Sequence, residues 1–389
     1  MKIKRLLPLF SGGAILLGAC TETLDYHRTD IPPQLNMNAQ LKVGDTLHLV
    51  HLCISTDKTI QEIRSGTVRC LVNGTLAATA KPVDAENHVT KILDNSFEGG
   101  RNNTPKQLLQ QSYGFQADFK EGDIVRIEAE ADGFSAWSEV IVPKAPRFEI
   151  ADTMSSVDPS HTIVTDDEVL PSKTLKIRLK GTDDVPGKNY YRLWGMLQSD
   201  QVFHYSVEEF DPETSQMKET AAQKRCLYAN GIKLWWGNDP ILSDGAPAED
   251  LDLFGARENY YNAFSDNLFS GGTFELGFMV HKEYLGYADP EVFYRQQPDG
   301  QFFYPDSVFV RNRLEICLSA ITETDYDMLK ALSLHKYNDE DISFFTEPIT
   351  FPDNVEGGVG VVSVENPTRK PIPIKEVMLR FGKTYMQGE

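Results

Sequence analysis

The residue with the clearest chemical assignment is Cys20, which ends the run Leu17-Gly18-Ala19-Cys20. Lys2, Lys4 and Arg5 give a positive start, Leu6 to Leu17 a short apolar stretch, and small residues precede the thiol. That order reads as a secretory signal over residues 1–19, too short to remain as a membrane span. Its end looks like a bacterial lipobox, in which the Cys20 sulfur takes a thioether-linked lipid and becomes the mature N-terminus. Each buried CH₂ of an acyl chain contributes about 0.8 kcal/mol, so several chains on one residue give lasting membrane attachment.

Other constellations are less specific. His48 and His51 have the HxxH spacing that chelates metal on a helix, but in a strand pattern i and i+3 point to opposite faces. Asp183 and Asp184 share a turn and form a weak Ca²⁺ candidate, as do the runs Asp166-Asp167-Glu168 and Asp339-Glu340-Asp341, and none has the ligand spacing of an EF-hand loop. No HExxH, GxSxG or CxxC occurs, so no catalytic residue, resident metal or cofactor is assigned. Glu356-Gly357-Gly358-Val359-Gly360 looks like a phosphate cradle, but Val361-Val362-Ser363-Val364 follows where such a loop needs a helix N-terminus. These glycines are expected to allow positive φ or close backbone approach at a bend into a strand.

Cys53, Cys70, Cys226 and Cys317 are an even set in an oxidising compartment and allow three disulfide pairings. Cys53 with Cys70 and Cys226 with Cys317 respect the domain division below; buried free thiols on strands are the alternative. Lys233-Leu234-Trp235-Trp236-Gly237, Tyr260, Tyr261, Phe264 and Phe269 bring aromatic area into a stretch of poor periodicity. They form a platform for a ligand or partner, or they pack that stretch onto the body. Trp235 and Trp236 point apart if extended, so one can pack while the other faces out.

The chain that must position these residues has 389 of them and a net charge of −19. Losing residues 1–19 removes three positive side chains and no negative ones, moving the charge to −22. That surface repels phosphate backbones and anionic headgroups, which excludes nucleic acid as a partner. After a tether at 20–38, residues 39–147 read as an immunoglobulin- or transthyretin-like β-sandwich. Its signals are strands at Thr46–Cys53 and Thr67–Val72, the hairpin Asn73-Gly74, and a helix start at Thr104-Pro105-Lys106-Gln107. Val125, Ile127 and Ala129 alternate with charges, and Ala131-Asp132-Gly133 turns the chain into Phe134–Val142. Residues 148–389 read as a larger antiparallel β-domain. Its strands lie at 174–180, 190–197, 273–280 and 307–321, and two last ones near 360–364 and 375–381 close it. Residues 199–270 form an aromatic, acidic insertion too long for an ordinary hairpin loop. A short helix starts at Thr322-Glu323-Thr324-Asp325, with Met328, Leu329 and Leu332 as its stripe.

Several landmarks resemble one family. They are Asp184…Gly187-Lys188-Asn189-Tyr190-Tyr191-Arg192, then Asn238-Asp239-Pro240, then Phe264-Ser265-Asp266-Asn267-Leu268-Phe269-Ser270-Gly271. Glu347-Pro348…Asn354-Val355-Glu356-Gly357-Gly358-Val359-Gly360 follow in order. The set is similar to a Bacteroidetes lipoprotein family, a domain of unknown function often encoded beside TonB-dependent (SusC-like) receptors. The resemblance implies an outer-membrane β-protein partnered with such a receptor or with other surface lipoproteins. Thr21-Glu22-Thr23-Leu24-Asp25 looks like the export tag of Bacteroidetes surface lipoproteins, which gives the expectation that it faces the cell exterior. The resemblance transfers no catalytic residue. The expectation is a non-enzymatic accessory or ligand-binding protein; the alternatives are a fimbrial or adhesin subunit and a surface glycan or peptide hydrolase.

Overall fold

A computed structural model describes residues 32–56, 60–61, 63–83, 110–164, 169–236, 239–243, 259–281, 305–340, 349–374 and 377–380. The signal at 1–19, Cys20, most of the tether, the helix start at Thr104, and the acidic run 166–168 lie outside these residues.

The protein is mainly β, with several sheets and one α-helix among the described residues. The strands are β1 (Gln34–Lys42), β2 (His48–Ser55), β3 (Ile60–Gln61), β4 (Gly66–Val72), β5 (Thr75–Thr79) and β6 (Lys81–Val83). Then come β7 (Gln111–Phe115), β8 (Ile124–Ala131), β9 (Phe134–Ile141), β10 (Arg147–Val164), β11 (Val169–Thr182) and β12 (Tyr190–Asp211). Next are β13 (Gln216–Ile232), β14 (Ala263–Ser265), β15 (Thr273–His281), β16 (Pro305–Ile321), the helix α1 (Glu323–Glu340), β17 (Val362–Pro373) and β18 (Val377–Arg380).

One sheet runs in the order β13-β12-β16-β17-β1-β2-β7-β6, and two smaller ones cover it: β5-β4-β8-β9 and β10-β11-β15. Alternation decides which faces meet. Leu35, Met37, Ala39 and Leu41 of β1 and Val50, Leu52 and Ile54 of β2 point one way, onto Val68 and Cys70 of β4 and Val125, Ile127 and Ala129 of β8. At the other end Leu193, Leu314, Ile316 and Leu318 of the long sheet meet Ile177, Leu179, Leu276 and Phe278 of the three-stranded one. Both cores are therefore sheet-on-sheet, as apolar stripes of period two require.

The turn residues act as their types dictate. Asn73 and Gly74 both take positive φ (52° and 76°), as do Asp132 and Gly133 (48° and 89°), which suits two-residue hairpins to the twist of their strands. Thr322 caps α1, its Oγ1 accepting from the Asp325 amide at 3.3 Å.

Three expectations are corrected. First, the stretch expected as an insertion at 199–270 opens as regular structure: β12 and β13 pair continuously from Gly195↔Ile232 to Asp211↔Gln216. Past Tyr205↔Pro305 β12 and β13 go on pairing with each other to Asp211↔Gln216, and Gln216 to Thr220 of β13 are exposed on both faces. A strand exposed on both faces needs no apolar alternation, so that stretch carries no periodic signal. Second, the strand expected to close the second body serves both. Val362–Glu365 pairs in parallel with Ala39–Lys42, while Asn366–Pro373 pairs antiparallel with β16. Val355, Val362 and Val364 belong to the first core. Third, the buried stripe of α1 is Asp325, Leu329 and Ser333, with Met328 and Leu332 half-buried beside it.

The glycine bend lies where the two sheets of the first core meet. Glu356 exchanges backbone hydrogen bonds with Trp137 of β9 (2.8 and 3.0 Å), and Val359 bridges Leu35 and Met37 of β1 (2.9 Å each). A Cβ on Gly357, at φ +77°, would stand 2.6 Å from the Ser135 carbonyl oxygen, and one on Gly358 would fall on the Leu35 carbonyl. Close backbone approach on both sides explains the glycines, and a strand follows them.

Candidate functional site

Two of the sequence landmarks, about eighty residues apart, come together in space. The turn at 183–189 is built on Asp183, whose Oδ1 accepts from the Val185 amide (3.3 Å) and the Tyr191 hydroxyl (3.0 Å) and whose Oδ2 accepts from the Gly271 amide (3.1 Å). The second landmark enters through Asn262 (φ 51°) and makes a 3₁₀ turn at Asp266–Leu268. The Asp266 amide donates to the Asn189 carbonyl at 3.0 Å. Asn189 joins the two: its Nδ2 lies 2.9 Å from Val185 O, 3.1 Å from Gly187 O, 3.3 Å from Asp266 Oδ2 and 3.4 Å from Asp183 Oδ1. Asp183 and Asp266 are each 2% exposed. Burial, and then the charge of Asp183, push the Tyr191 phenol well above its ordinary range, so it stays a donor. Behind this polar knot Tyr191, Phe264, Phe269 and Phe274 form an aromatic nest with ring centroids 4.2–6.4 Å apart.

Phe264, a candidate contact residue, is thus core, with no exposure. Trp236 packs against the same core and Tyr261 beside Tyr190 and Leu329. Trp235 and Tyr260 stand apart from them. Trp235 bridges to the outer edge of β15, exchanging backbone hydrogen bonds with Met279, and keeps 37% of its surface exposed. The Lys233 ammonium lies 3.9 Å from the Trp235 ring centre and 5.9 Å from that of Tyr260. Of five candidate contacts, then, two make a surface group with a cation between them.

The Ca²⁺ candidate diverges. Asp184 turns outward to Lys144 (3.0 Å) and Arg147 (3.5 Å), and that lysine contact first of all holds its carboxyl below the usual range. Asp183 turns inward to the donors above, so the pair does not converge on one ion. Among the described residues no group of three or more His, Cys, Asp and Glu side chains is arranged to hold a metal. His48 stacks inward between Phe115 and Phe119, while His51 faces the other way onto Ser112.

The disulfide expectation fails on register: Cys53, Cys70, Cys226 and Cys317 are free and buried. Cys226 pairs across β12 with Gln201 and Cys317 with Trp194. Seven residues of strand separate these rows, roughly 23 Å at about 3.3 Å per residue, where a disulfide needs Cα atoms within about 7 Å. Cys70 points into the first core, while Cys53, between inward Leu52 and Ile54, points out of it. Burial pushes Cys70 and Cys317 up to about 12, which leaves them inert as nucleophiles.

A charged cluster that sequence reasoning missed lies beneath α1, on the face of the long sheet opposite the two cores. Glu365 of β17 accepts from Trp194 Nε1 (2.9 Å) and from the Ser319 hydroxyl, with Lys42 Nζ at 3.5 Å. Burial alone would raise its carboxyl; Lys42 and Arg192 outweigh that and hold it below the usual range. Lys42 and Arg369 flank the Trp194 ring at 4.3 and 5.8 Å. Asp325, from the first turn of α1, faces the same pocket, and burial raises it to about 6. The only sequence signal was that Gln40, Lys42, Ser363 and Glu365 alternate with buried apolar residues. That pattern also describes a solvent face.

Residues 21–371 match the model of a domain of unknown function, DUF4249. The chain belongs to that family. No curated protein sequence matches it. Among solved structures it is similar to a DUF4785 family protein from Legionella pneumophila, at 8% identity and a TM-score of 0.20, covering 72% of this chain and 51% of that one. It is also similar to the adhesin InvE of Yersinia pseudotuberculosis, at 9% identity and a TM-score of 0.17, covering 72% and 55%. The chain spans about half the length of the solved proteins it matches.

Proposed function

We propose that this DUF4249 protein is a lipid-anchored outer-membrane protein of Bacteroidetes type, facing the cell exterior. In this reading it is an accessory or ligand-binding component beside a TonB-dependent (SusC-like) receptor, with a binding role and no catalytic one. The observation that carries the anchor is the ordered signal ending at Leu17-Gly18-Ala19-Cys20, with the family match beginning at the next residue. Among the described residues no helix is long and apolar enough to cross a membrane. The acidic net charge gives no electrostatic attraction to anionic headgroups, and a covalent lipid on Cys20 needs none. For contact, Trp235 and Tyr260 with Lys233 between them are the candidate surface. Flat aromatic area beside a cation suits the polar–apolar faces of a sugar or peptide.

Radiolabelled palmitate should enter the wild-type protein and not Cys20→Ala. Equal labelling of both, or none of either, refutes the anchor. Copurification from solubilised outer membranes should return a TonB-dependent receptor, and Trp235→Ala should reduce its yield without reducing the protein's own abundance. Recovery without any receptor refutes the partnership.

A further inference from the structure

The first turn of α1 covers two buried carboxylates, Asp325 and Glu365, that both feel the charge of Arg192. Asp325 is 3% exposed and faces the seam of the long sheet where β12, β16, β17 and β1 follow one another. From β1 it meets Gln40, whose Nε2 donates to Oδ1 at 3.4 Å, and from β17 it meets Ser363 and Glu365. Arg192 of β12 draws on both acids. The second cation, Lys42, is held at Glu365, and β16 adds Ser319 and Cys317. Neighbouring β14 contributes Ala263, Phe264 and Ser265, none of which ionises. On the helix itself Glu323 is bonded to the Tyr190 hydroxyl, and Asp327 is exposed, its carboxyl raised by partial burial and then by Glu323 against the pull of Lys188, so neither compensates Asp325. Glu365 therefore has strong donors of its own, while Asp325 has a long amide contact, a hydroxyl and a share of Arg192.

The helix docks through Leu329, which packs with Tyr190, Ala263 and Ile321, and through Tyr326, which stacks on Tyr190 at 4.8 Å. Asp325 is the buried acid in its first turn, and an ionised carboxyl there opposes the apolar docking, so its charge state can decide how firmly the first turn sits.

We propose that this seam is an acid-tightened latch, in which protonation of Asp325 seats α1 on β1, β12 and β17 and its ionisation loosens the helix. A carboxyl whose folded value lies above its unfolded one stabilises the docked state at low pH, and that stability is lost as pH rises through the folded value. For a group raised from 3.8 to about 6, the window lies between those two values and reaches into the neutral range. Between about pH 7.5 and about pH 5 the opening equilibrium of the first turn should fall by roughly tenfold, if opening returns Asp325 to water.

Hydrogen exchange of the full chain in detergent, corrected for the intrinsic pH dependence of exchange, reads this directly in peptides covering 323–340. Wild type should be about tenfold more protected at the lower pH. Asp325→Asn should remove the response and leave the helix protected at both pH values. Asp327→Asn, on the outer side of the same helix, should keep it. Equal wild-type protection at both pH values overturns the latch and needs no variant to fold. A response that survives in Asp325→Asn, or vanishes in Asp327→Asn, overturns it as well, because the charge that matters would then lie outside the seam.

Discussion

Replacing Asn189 by alanine tests whether its side chain joins the two landmark loops. One amide group carries two hydrogens and faces four oxygens, of which the Val185 and Gly187 carbonyls are nearest at 2.9 and 3.1 Å. Losing those two bonds should cost about 1 kcal/mol each. The substitution also removes the only donor among the described residues to the side chain of Asp266, which is 2% exposed, and leaves it near a second buried carboxylate. A buried acceptor without its donor adds about 1–3 kcal/mol, so the total is roughly 3–5 kcal/mol. Asp183 keeps Tyr191, Val185 and Gly271, which limits the damage. The assay is urea unfolding followed by tryptophan fluorescence, with the slope unchanged and the midpoint lowered. Asn189→Asp sharpens the test, because it sets a third carboxylate among two. It should cost more than alanine near neutral pH, and the difference should shrink on acidification as the introduced carboxylate is neutralised. A loss below about 0.5 kcal/mol for Asn189→Ala, or an aspartate variant as stable as wild type, refutes the reasoning that this amide links the loops.

Gly358→Ala should lower stability by more than about 2 kcal/mol, since its Cβ would strike the Leu35 carbonyl and not a movable side chain; a thermal midpoint like wild type's contradicts the close approach. Phe264→Ala should cost about 3–5 kcal/mol, whereas Trp235→Ala should stay within about 1 kcal/mol, and comparable losses would put Trp235 in the core. The four free thiols should react with a thiol reagent only after unfolding, and reductant should leave the thermal midpoint unmoved. A native chain lacking free thiols would show that they pair.

Sequence alone determined the local features of this protein. Alternation at Val125-Ile127-Ala129, the Asn73-Gly74 hairpin and the Thr322 cap each depend on residues within a few positions, so their forces can be read along the chain. The glycine bend belongs with them, because glycines before a β-branched run already argue for close approach and a strand. Tertiary structure alone decided which faces meet. Nothing near Val362 announces a parallel partner at Ala39, and no pattern in β12 and β13 announces their continuous pairing from Gly195 to Gln216. Asn189 and Asp266 are ordinary turn residues until two distant loops close on each other. Asp325, an unremarkable first-turn acid in sequence, becomes buried only when the sheet beneath it is assembled. The reason is physical: strand pairing and burial are properties of pairs of distant segments, and charge chemistry follows burial. Lipidation at Cys20, by contrast, is an expectation that rests on sequence alone.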